Sequence, residues 1–291
     1  MLSITALFAS AGIPDVTLNN GVTMPMISLG TWQYSPSVAA STVTLGLKVG
    51  FNHIDTANDY RNQQGVGSAL KGVPRSSYFL TTKVPSQSDE SSAYAKTTKD
   101  LNDDISELGL PYVDLMLVHF PPRGNTKHCK AMQEQWRAME DFYAQNKSRA
   151  IGVSNYCQSS FECIMKTAKV VPAVNQVEFH VGMGTDPEGL ISYCKSKNVT
   201  IQAYSPLGDG TSELITGPLV TKIGAAHSKT GAQVSLNWVA AQGIPLSTKS
   251  TSEKHLTGDL DIFEWSVTDH EKKTLDTANS PKGTPSFMCT S

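Results

Sequence analysis

The chain has 291 residues, 39% of them apolar and 17% charged, and its 24 basic against 26 acidic side chains leave a formal net charge of −2. That length and composition support a full hydrophobic core, which excludes global disorder and a stapled mini-protein. A nearly neutral chain with no basic run, and no apolar run near the roughly 18 residues of a spanning helix, argues against nucleic acid or a membrane as partner.

The chain opens with apolar Met1–Phe8 and the small residues Ala9-Ser10-Ala11. This resembles a signal cleavage site but lacks a basic start and is short for a signal peptide, so residues 1–12 read as a flexible or targeting extension and the protein as cytoplasmic, with secretion by a short N-terminal signal as the alternative. From Val16 to Met24, two short mixed runs flank Asn20-Gly21, the pattern of a hairpin with a two-residue turn. Short apolar runs then recur at Ile27–Leu29, His53–Asp55, Tyr78–Lys83, Val113–His119, Ala150–Ser154, Ala173–Phe179, Thr200–Tyr204 and Ile244–Lys249. Helical spacing fills the gaps: Trp136, Met139 and Phe142-Tyr143; Phe161, Ile164, Met165 and Ala168; Leu190, Ile191 and Cys194.

Strands alternating with helices predict right-handed βαβ units and a parallel sheet. Eight such strands, with no linker, composition shift or internal repeat, predict one α/β domain over residues 1–291, a (β/α)8 TIM barrel with an N-terminal β-hairpin. The five cysteines (Cys129, Cys157, Cys163, Cys194 and Cys289) are odd in number, scattered and without Cys-x-x-Cys. They read as free thiols in a reducing compartment.

A barrel keeps its chemistry at the C-terminal ends of its strands and in the loops that follow. Trp32, Asp55, Tyr60, Lys83, His119, Ser154, Asn155, Gln176, Tyr204 and Lys249 fall there. Other chemistries find little support. There is no Gly-x-Gly-x-x-Gly and no P-loop, and Gly152-Val-Ser-Asn-Tyr156 lacks the second Gly of a nucleophile elbow. The seven histidines include neither His-x-His nor His-Glu-x-x-His, so no metal site is expected.

Asp55 ends one strand, Tyr60 stands in its loop, Lys83 ends the next strand and His119 the one after. A phenol with an ordinary pKa near 10 is a poor acid at neutral pH. A neighbouring buried ammonium would lower that value, and the ammonium itself needs a carboxylate such as Asp55. An imidazole across the pocket could orient a carbonyl oxygen or relay a proton. Singly, each residue also has a structural use: Asp55 as a helix cap, Tyr60 as a loop aromatic, Lys83 and His119 as solvated rim groups. The four together, on successive βα units, are far more specific.

Leu29-Gly-Thr-Trp32, Gly50-Phe-Asn-His-Ile-Asp-Thr-Ala-Asn-Asp-Tyr60, Thr82-Lys83, His119-Phe-Pro121, Arg149-Ala-Ile-Gly-Val-Ser-Asn-Tyr156, Pro172-Ala-Val-Asn-Gln176 and Ala203-Tyr-Ser-Pro-Leu-Gly208 stand in this order. In these landmarks the chain resembles the aldo-keto reductase family over about residues 16–265. The resemblance implies an NAD(P)H-dependent carbonyl reductase whose barrel binds the dinucleotide without a Rossmann fold. Tyr60 matches the general acid, Asp55 and Lys83 its tuning pair, and His119 the carbonyl-orienting imidazole. Ser154, Asn155 and Gln176 match the side chains on the nicotinamide carboxamide, and Tyr204 the ring stacked on it. Thr31 and Asp55 join the cofactor set, Ser205 and Leu207 match the pyrophosphate loop, and Trp32 and Phe120, with His119, match the substrate lining.

Departures from the family pattern bear on the cofactor. Tyr-x-Asn-Glu appears as Tyr60-Arg-Asn-Gln63, a minor change. Pro-Lys-Ser and the later phosphate-binding Arg appear as Thr248-Lys-Ser250 and His255, and the adenine-contacting Glu-Asn falls at Gly258-Asp259. Lys249, Ser250 and His255 therefore predict NADP(H) as the preferred cofactor, with a weakened preference and NAD(H) possible, because imidazole lacks the fixed charge of guanidinium. The span from His119 to Trp136 and the tail after Leu275 are both short, which predicts an open, apolar mouth taking varied small aldehydes. Phe287, Met288 and Cys289 are the residues that could cover it. A monomer acting on a small carbonyl compound is expected; a barrel that binds cofactor without turnover, or serves structurally, is the alternative. A steroid double-bond reductase of this family would carry Glu in place of His119.

Overall fold

Two short strands, β1 (Asp15–Thr17) and β2 (Thr23–Pro25), pair antiparallel ahead of everything else in the computed structural model, which describes residues 12–282. Residues 1–11 and Phe287–Cys289 lie outside the described residues. The hairpin reverses over Leu18–Val22, longer than the two-residue turn expected from Asn20-Gly21. The Leu18 amide donates to Val22 O at 2.8 Å, and Gly21 supplies the positive φ of 83°. The extra length lets Asn19 and Asn20 donate to the Pro172 and Arg149 carbonyls at 3.0 and 2.9 Å, which pins the turn under the barrel.

Eight parallel strands follow and close in the order β10-β3-β4-β5-β6-β7-β8-β9. They are β3 (Ile27–Gly30), β4 (His53–Asp55), β5 (Phe79–Val84), β6 (Val113–Val118), β7 (Ser148–Ser154), β8 (Val174–Glu178), β9 (Thr200–Tyr204) and β10 (Leu246–Thr248). All eight expected runs form, two with the expected bounds and the others with ends shifted by one or two residues. Outside them run α1 (Pro36–Val49), α2 (Gln63–Leu70), α3 (Glu90–Leu108), α4 (Cys129–Ala144), α5 (Gln158–Met165) and α6 (Leu190–Ser196). Then come α7 (Ser212–Thr216), α8 (Pro218–His227), α9 (Gly231–Ala240), α10 (Glu253–Leu260) and α11 (Asp269–Asp276). Helix α5 stops before Ala168, shorter than its apolar spacing predicts. No described helix is long and apolar enough to cross a membrane.

Strand residues alternate between the two sides of the barrel wall. Ile54, Met116, Val118, Ile151 and Val153 belong to the layer beneath the helices, whereas Phe79, Leu115, Leu117, Ala150 and Val174 form a separate inner cluster with Leu18 and Met24 of the hairpin. Two and four residues farther along the same inner rows the side chains turn polar, as Thr81 and Lys83 follow Phe79, and Gln176 follows Val174 by two. One end of the barrel is therefore plugged with hydrocarbon and the other is lined with hydrogen-bonding groups.

Helix α2 shows how closely the wall is built near that polar end. A Cβ on Gly65 would lie 2.0 Å from the Pro36 carbonyl oxygen, and one on Gly67 would lie 2.3 Å from that of Leu108. Each glycine costs a helix interior roughly 1 kcal/mol in propensity, and only a missing side chain lets α2 wedge between α1 and α3. The turn carrying Tyr60 runs directly into this helix.

The cysteines correct one expectation. Cys129 at the start of α4 and Cys163 in α5 form a disulfide, their α-carbons 5.6 Å apart, because the loops leaving β6 and β7 bring these neighbouring helices together. Cys194 is free and buried. The bond removes the free-thiol premise for a reducing compartment.

Candidate active site

Asp55, the last residue of β4, is buried, and its two carboxylate oxygens have different partners. Oδ1 accepts from Lys83 Nζ at 2.5 Å, and Oδ2 accepts from the Gln176 amide at 2.7 Å. Lys83 Nζ also donates to the Thr56 carbonyl at 3.0 Å and to the Tyr60 hydroxyl at 3.3 Å, which uses its three protons. Burial alone would lower the Lys83 pKa; the Asp55 carboxylate and Tyr60 more than offset this and hold it above 10.5. The lysine is a lasting cation between a carboxylate and a phenol.

Tyr60 ends a single 3-10 turn, Asn58–Tyr60, and is half-buried. Burial raises its phenol above the ordinary 10.0, and the Lys83 charge pulls it down without winning. This differs from the expected net lowering, because a phenolate here would leave water and also face the Asp55 and Asp59 carboxylates. Asn62 fixes the turn: its amide donates to the Thr31 and Tyr34 carbonyls at 2.8 and 3.0 Å, and its oxygen accepts from Thr56 Oγ1 at 3.2 Å.

His119 follows β6, its ring edge-on to Tyr60 with centroids 5.6 Å apart and tilted over Phe120 at 4.7 Å. Its Nδ1 lies 3.0 Å from Asp59 Oδ2. Burial lowers its pKa below 6.5, opposed by the hydrogen bond to Asp59. Asp55, Tyr60, Lys83 and His119 thus meet in one place.

Across the barrel mouth, Asn155 adopts a positive φ of 61° just after β7. Its amide donates to His119 O and to Ser154 Oγ, both at 3.0 Å, and its oxygen accepts from the Tyr204 hydroxyl at 2.9 Å. Ser154 Oγ donates to the Gln176 carbonyl at 2.8 Å. Gln176 spends its amide protons on Asp55 and on Gln202 Oε1, which leaves its own side-chain oxygen without a partner among the described residues. Thr31 is buried behind Asp55, donating to that residue's carbonyl through backbone and hydroxyl. Trp32 and Phe120 are exposed aromatics, 45% and 40% accessible, at the rim.

The remaining expected residues lie along the rim outside this cluster. Lys249 Nζ donates to Trp32 O at 3.1 Å and Gln33 Oε1 at 2.9 Å, with the Trp32 and Tyr34 rings 5.5 and 5.2 Å away. Ser205 has a φ of 47° and donates to Asp209, while Leu207 is half-buried in the same loop. Ser250 Oγ accepts from the Ser252 amide at 3.1 Å, and His255 is exposed in the first turn of α10. Asp259 turns inward to accept from Thr248 Oγ1 at 2.8 Å, so it packs behind β10.

Several supporting residues escaped the motif reading. Asp104 of α3 accepts from the Asn58 and Gln63 amides at 2.6 and 2.7 Å, and Gln63 accepts from Thr82 Oγ1, which braces both flanks of the Tyr60 turn. Burial pushes the Asp104 carboxyl up to about 7. Asp59, Asn62 and Gln63 stand within the family landmarks around Tyr60 without a role assigned to them, whereas Asp104 and Gln202 carried no signal. Among the described residues, no group of three or more His, Cys, Asp or Glu could hold a metal ion.

This geometry has relatives. A glyoxal reductase of Bacillus subtilis is 36% identical over 267 residues, covering 91% of this chain and 92% of its own. An aldo-keto reductase enzyme from a Medee basin deep-sea metagenome library superposes with a TM-score of 0.84 at 33% identity, over 92% of this chain and 96% of that one. A Bombyx mori aldo-keto reductase in complex with NADP superposes with a TM-score of 0.79 at 27% identity, over 92% and 93% of the two chains. Residues 26–280 match the aldo/keto reductase family as a whole, and the chain belongs to that family.

Proposed function

We propose that the protein is an NADPH-dependent reductase of aldehydes and some ketones, with Tyr60 as proton donor. The observation that carries this reading is the unbroken chain Asp55–Lys83–Tyr60, which ends in a half-buried hydroxyl beside the His119 ring. A bound reduced nicotinamide would supply the hydride. Tyr60, kept protonated at neutral pH by burial, gives its proton to the carbonyl oxygen. The phenolate left behind faces the Lys83 ammonium, which Asp55 holds in place. His119 faces the carbonyl oxygen through Nε2, on the side away from Asp59, and orients it by a hydrogen bond when protonated.

The polar set suits the cofactor. A carboxamide needs donors and acceptors, and Ser154, Asn155 and Gln176 bring both, with the Gln176 side-chain oxygen unpartnered among the described residues. The Tyr204 ring, fixed through its hydroxyl by Asn155, offers a flat face at the end of β9. Lys249 gives a cation at the rim for a phosphate and favours NADPH over NADH; exposed His255 adds a weaker attraction. The B. mori neighbour's complex with NADP supports the same preference. Exposed Trp32 and Phe120 make an apolar mouth, which discriminates by only about 1–3 kcal/mol per methylene and so takes varied aldehydes. The glyoxal reductase relative fits that class.

The test is oxidation of NADPH with benzaldehyde by the parent protein and by Tyr60→Phe. The parent should turn over. The variant should bind NADPH equally by fluorescence titration and lose about 10²–10⁴-fold in rate. A near-parent rate in Tyr60→Phe would refute the assignment.

A further inference from the structure

Asp59 precedes Tyr60, and half of its side chain is exposed, yet its Oδ2 sits 3.0 Å from Nδ1 of His119. The hydrogen bond from His119 holds the Asp59 carboxyl below its usual range, with help from the charge of Arg61, so it is an anion at neutral pH. A carboxylate only accepts hydrogen bonds. The ring nitrogen facing it must therefore carry the proton, and in a neutral imidazole the lone pair is then left on Nε2. Nε2 has no hydrogen-bond partner among the described residues, and the ring retains 11% side-chain accessibility between Tyr60 and Phe120.

We infer that Asp59 is a positioning residue that locks His119 as its Nδ1–H tautomer, so that the ring meets a ligand as an acceptor when neutral and as a donor only when protonated. The inference rests on the reductase reading for its consequence but not for its geometry. A carbonyl oxygen can only accept. It therefore takes one hydrogen bond, from Tyr60, when His119 is neutral, and a second, from Nε2–H, when His119 is a cation. An alcohol can donate, so the neutral ring suits the reduced ligand. One imidazole thus distinguishes the two sides of the reaction by its protonation state.

The charged groups around the ring pull in both directions. Asp59 on the preceding turn and Asp55 on β4 favour the imidazolium; burial and the Lys83 ammonium on β5 oppose it. Tyr60 meets the ring as a neutral hydroxyl at neutral pH. Removing Asp59 takes away a favourable charge and frees the neutral ring to move its proton to Nε2.

The experiment uses the full chain labelled with ¹⁵N-histidine, as parent, Asp59→Ala and Asp59→Asn. Two-bond ¹H–¹⁵N spectra at about pH 8 should show His119 as Nδ1–H in the parent. In Asp59→Ala, Nε2–H should become a major form. This measurement needs neither cofactor nor substrate, so it stands even if the protein fails to reduce aldehydes. In kinetics, parent kcat/KM for benzaldehyde should fall about three- to tenfold, the worth of one hydrogen bond, as pH rises through the His119 ionisation. Both variants should flatten that step, Asp59→Asn the less. Nε2–H in the parent, or one tautomer and one pH profile in all three proteins, would overturn the inference.

Discussion

Both ends of the barrel hold a buried aspartate against cations, and they hold it differently. At the hairpin end, Asp114 accepts from Arg75 at 2.5 Å, Arg149 at 2.8 Å and the Leu80 amide at 2.8 Å. Its cations reach in from the surface, and Arg75 lies over the rings of Tyr78 and Tyr112 at 4.7 and 4.0 Å. At the open end, Asp55 faces a lysine as buried as itself, and that lysine donates its third N–H to a phenol. A guanidinium cannot lose its charge in a protein and fixes geometry with a rigid fork; an ammonium is a compact charge whose influence on a neighbouring acid is electrostatic. The first arrangement fastens strands together. The second keeps a proton beside an opening.

The sharpest way to break this comparison is to remove the cation at each end. Lys83→Met should cut aldehyde turnover by about 10²–10⁴-fold, the span of general acid catalysis, since Tyr60 loses the ammonium that donates to it. Steady-state rates at saturating NADPH measure it. If the variant keeps a tenth of parent activity, the open-end pair is structural as well.

At the hairpin end, Asp114→Ala should lower unfolding free energy by about 3 kcal/mol, because two guanidinium bonds and a buried amide partner go together. Its kcat/KM should stay near parent in molecules that remain folded. Urea denaturation followed by circular dichroism gives the first number, and a matched loss of kcat/KM would erase the distinction between the two ends.

A third aspartate sharpens the contrast by having no cation beside it among the described residues. Burial pushes Asp259 up to about 7, opposed only by the Thr248 hydroxyl. The folded carboxyl keeps its proton to about pH 7, while the unfolded one releases it near 4, so folding takes up a proton in between and stability falls as pH rises through that window. Asp259→Asn removes the titration. Relative to parent it should gain on the order of 2–4 kcal/mol between about pH 4 and pH 8, read from unfolding midpoints. A constant difference across that range would mean that Asp259 ionises as freely in the fold as in the unfolded chain.

What the sequence revealed and what it hid follow one physical division. Alternating apolar runs and helical spacing reflect one-sided burial, a local property, so the eight strands and the barrel were legible. Asp55, Lys83 and His119 stand at strand ends, where the fold itself says which end is open. Contacts between distant segments were not legible. Asp59 and His119 are 60 residues apart, and Cys129 and Cys163 are 34 apart. Nothing in either stretch announces a partner, because the packing of neighbouring βα units makes the match. The Tyr60 pKa went the other way for a related reason: opposing charges could be guessed from motifs, but the depth of burial that outweighed them could not.

The hairpin packed beneath the barrel has a kinetic meaning as well. Leu18 and Met24 close that end with Phe79, Leu115 and Leu117, so among the described residues the polar end is the one left open to ligands. Two molecules bound one behind the other at that end could not pass. Whichever lay deeper would enter first and depart last, and a queue of this kind would impose an order on arrivals and departures without any moving part.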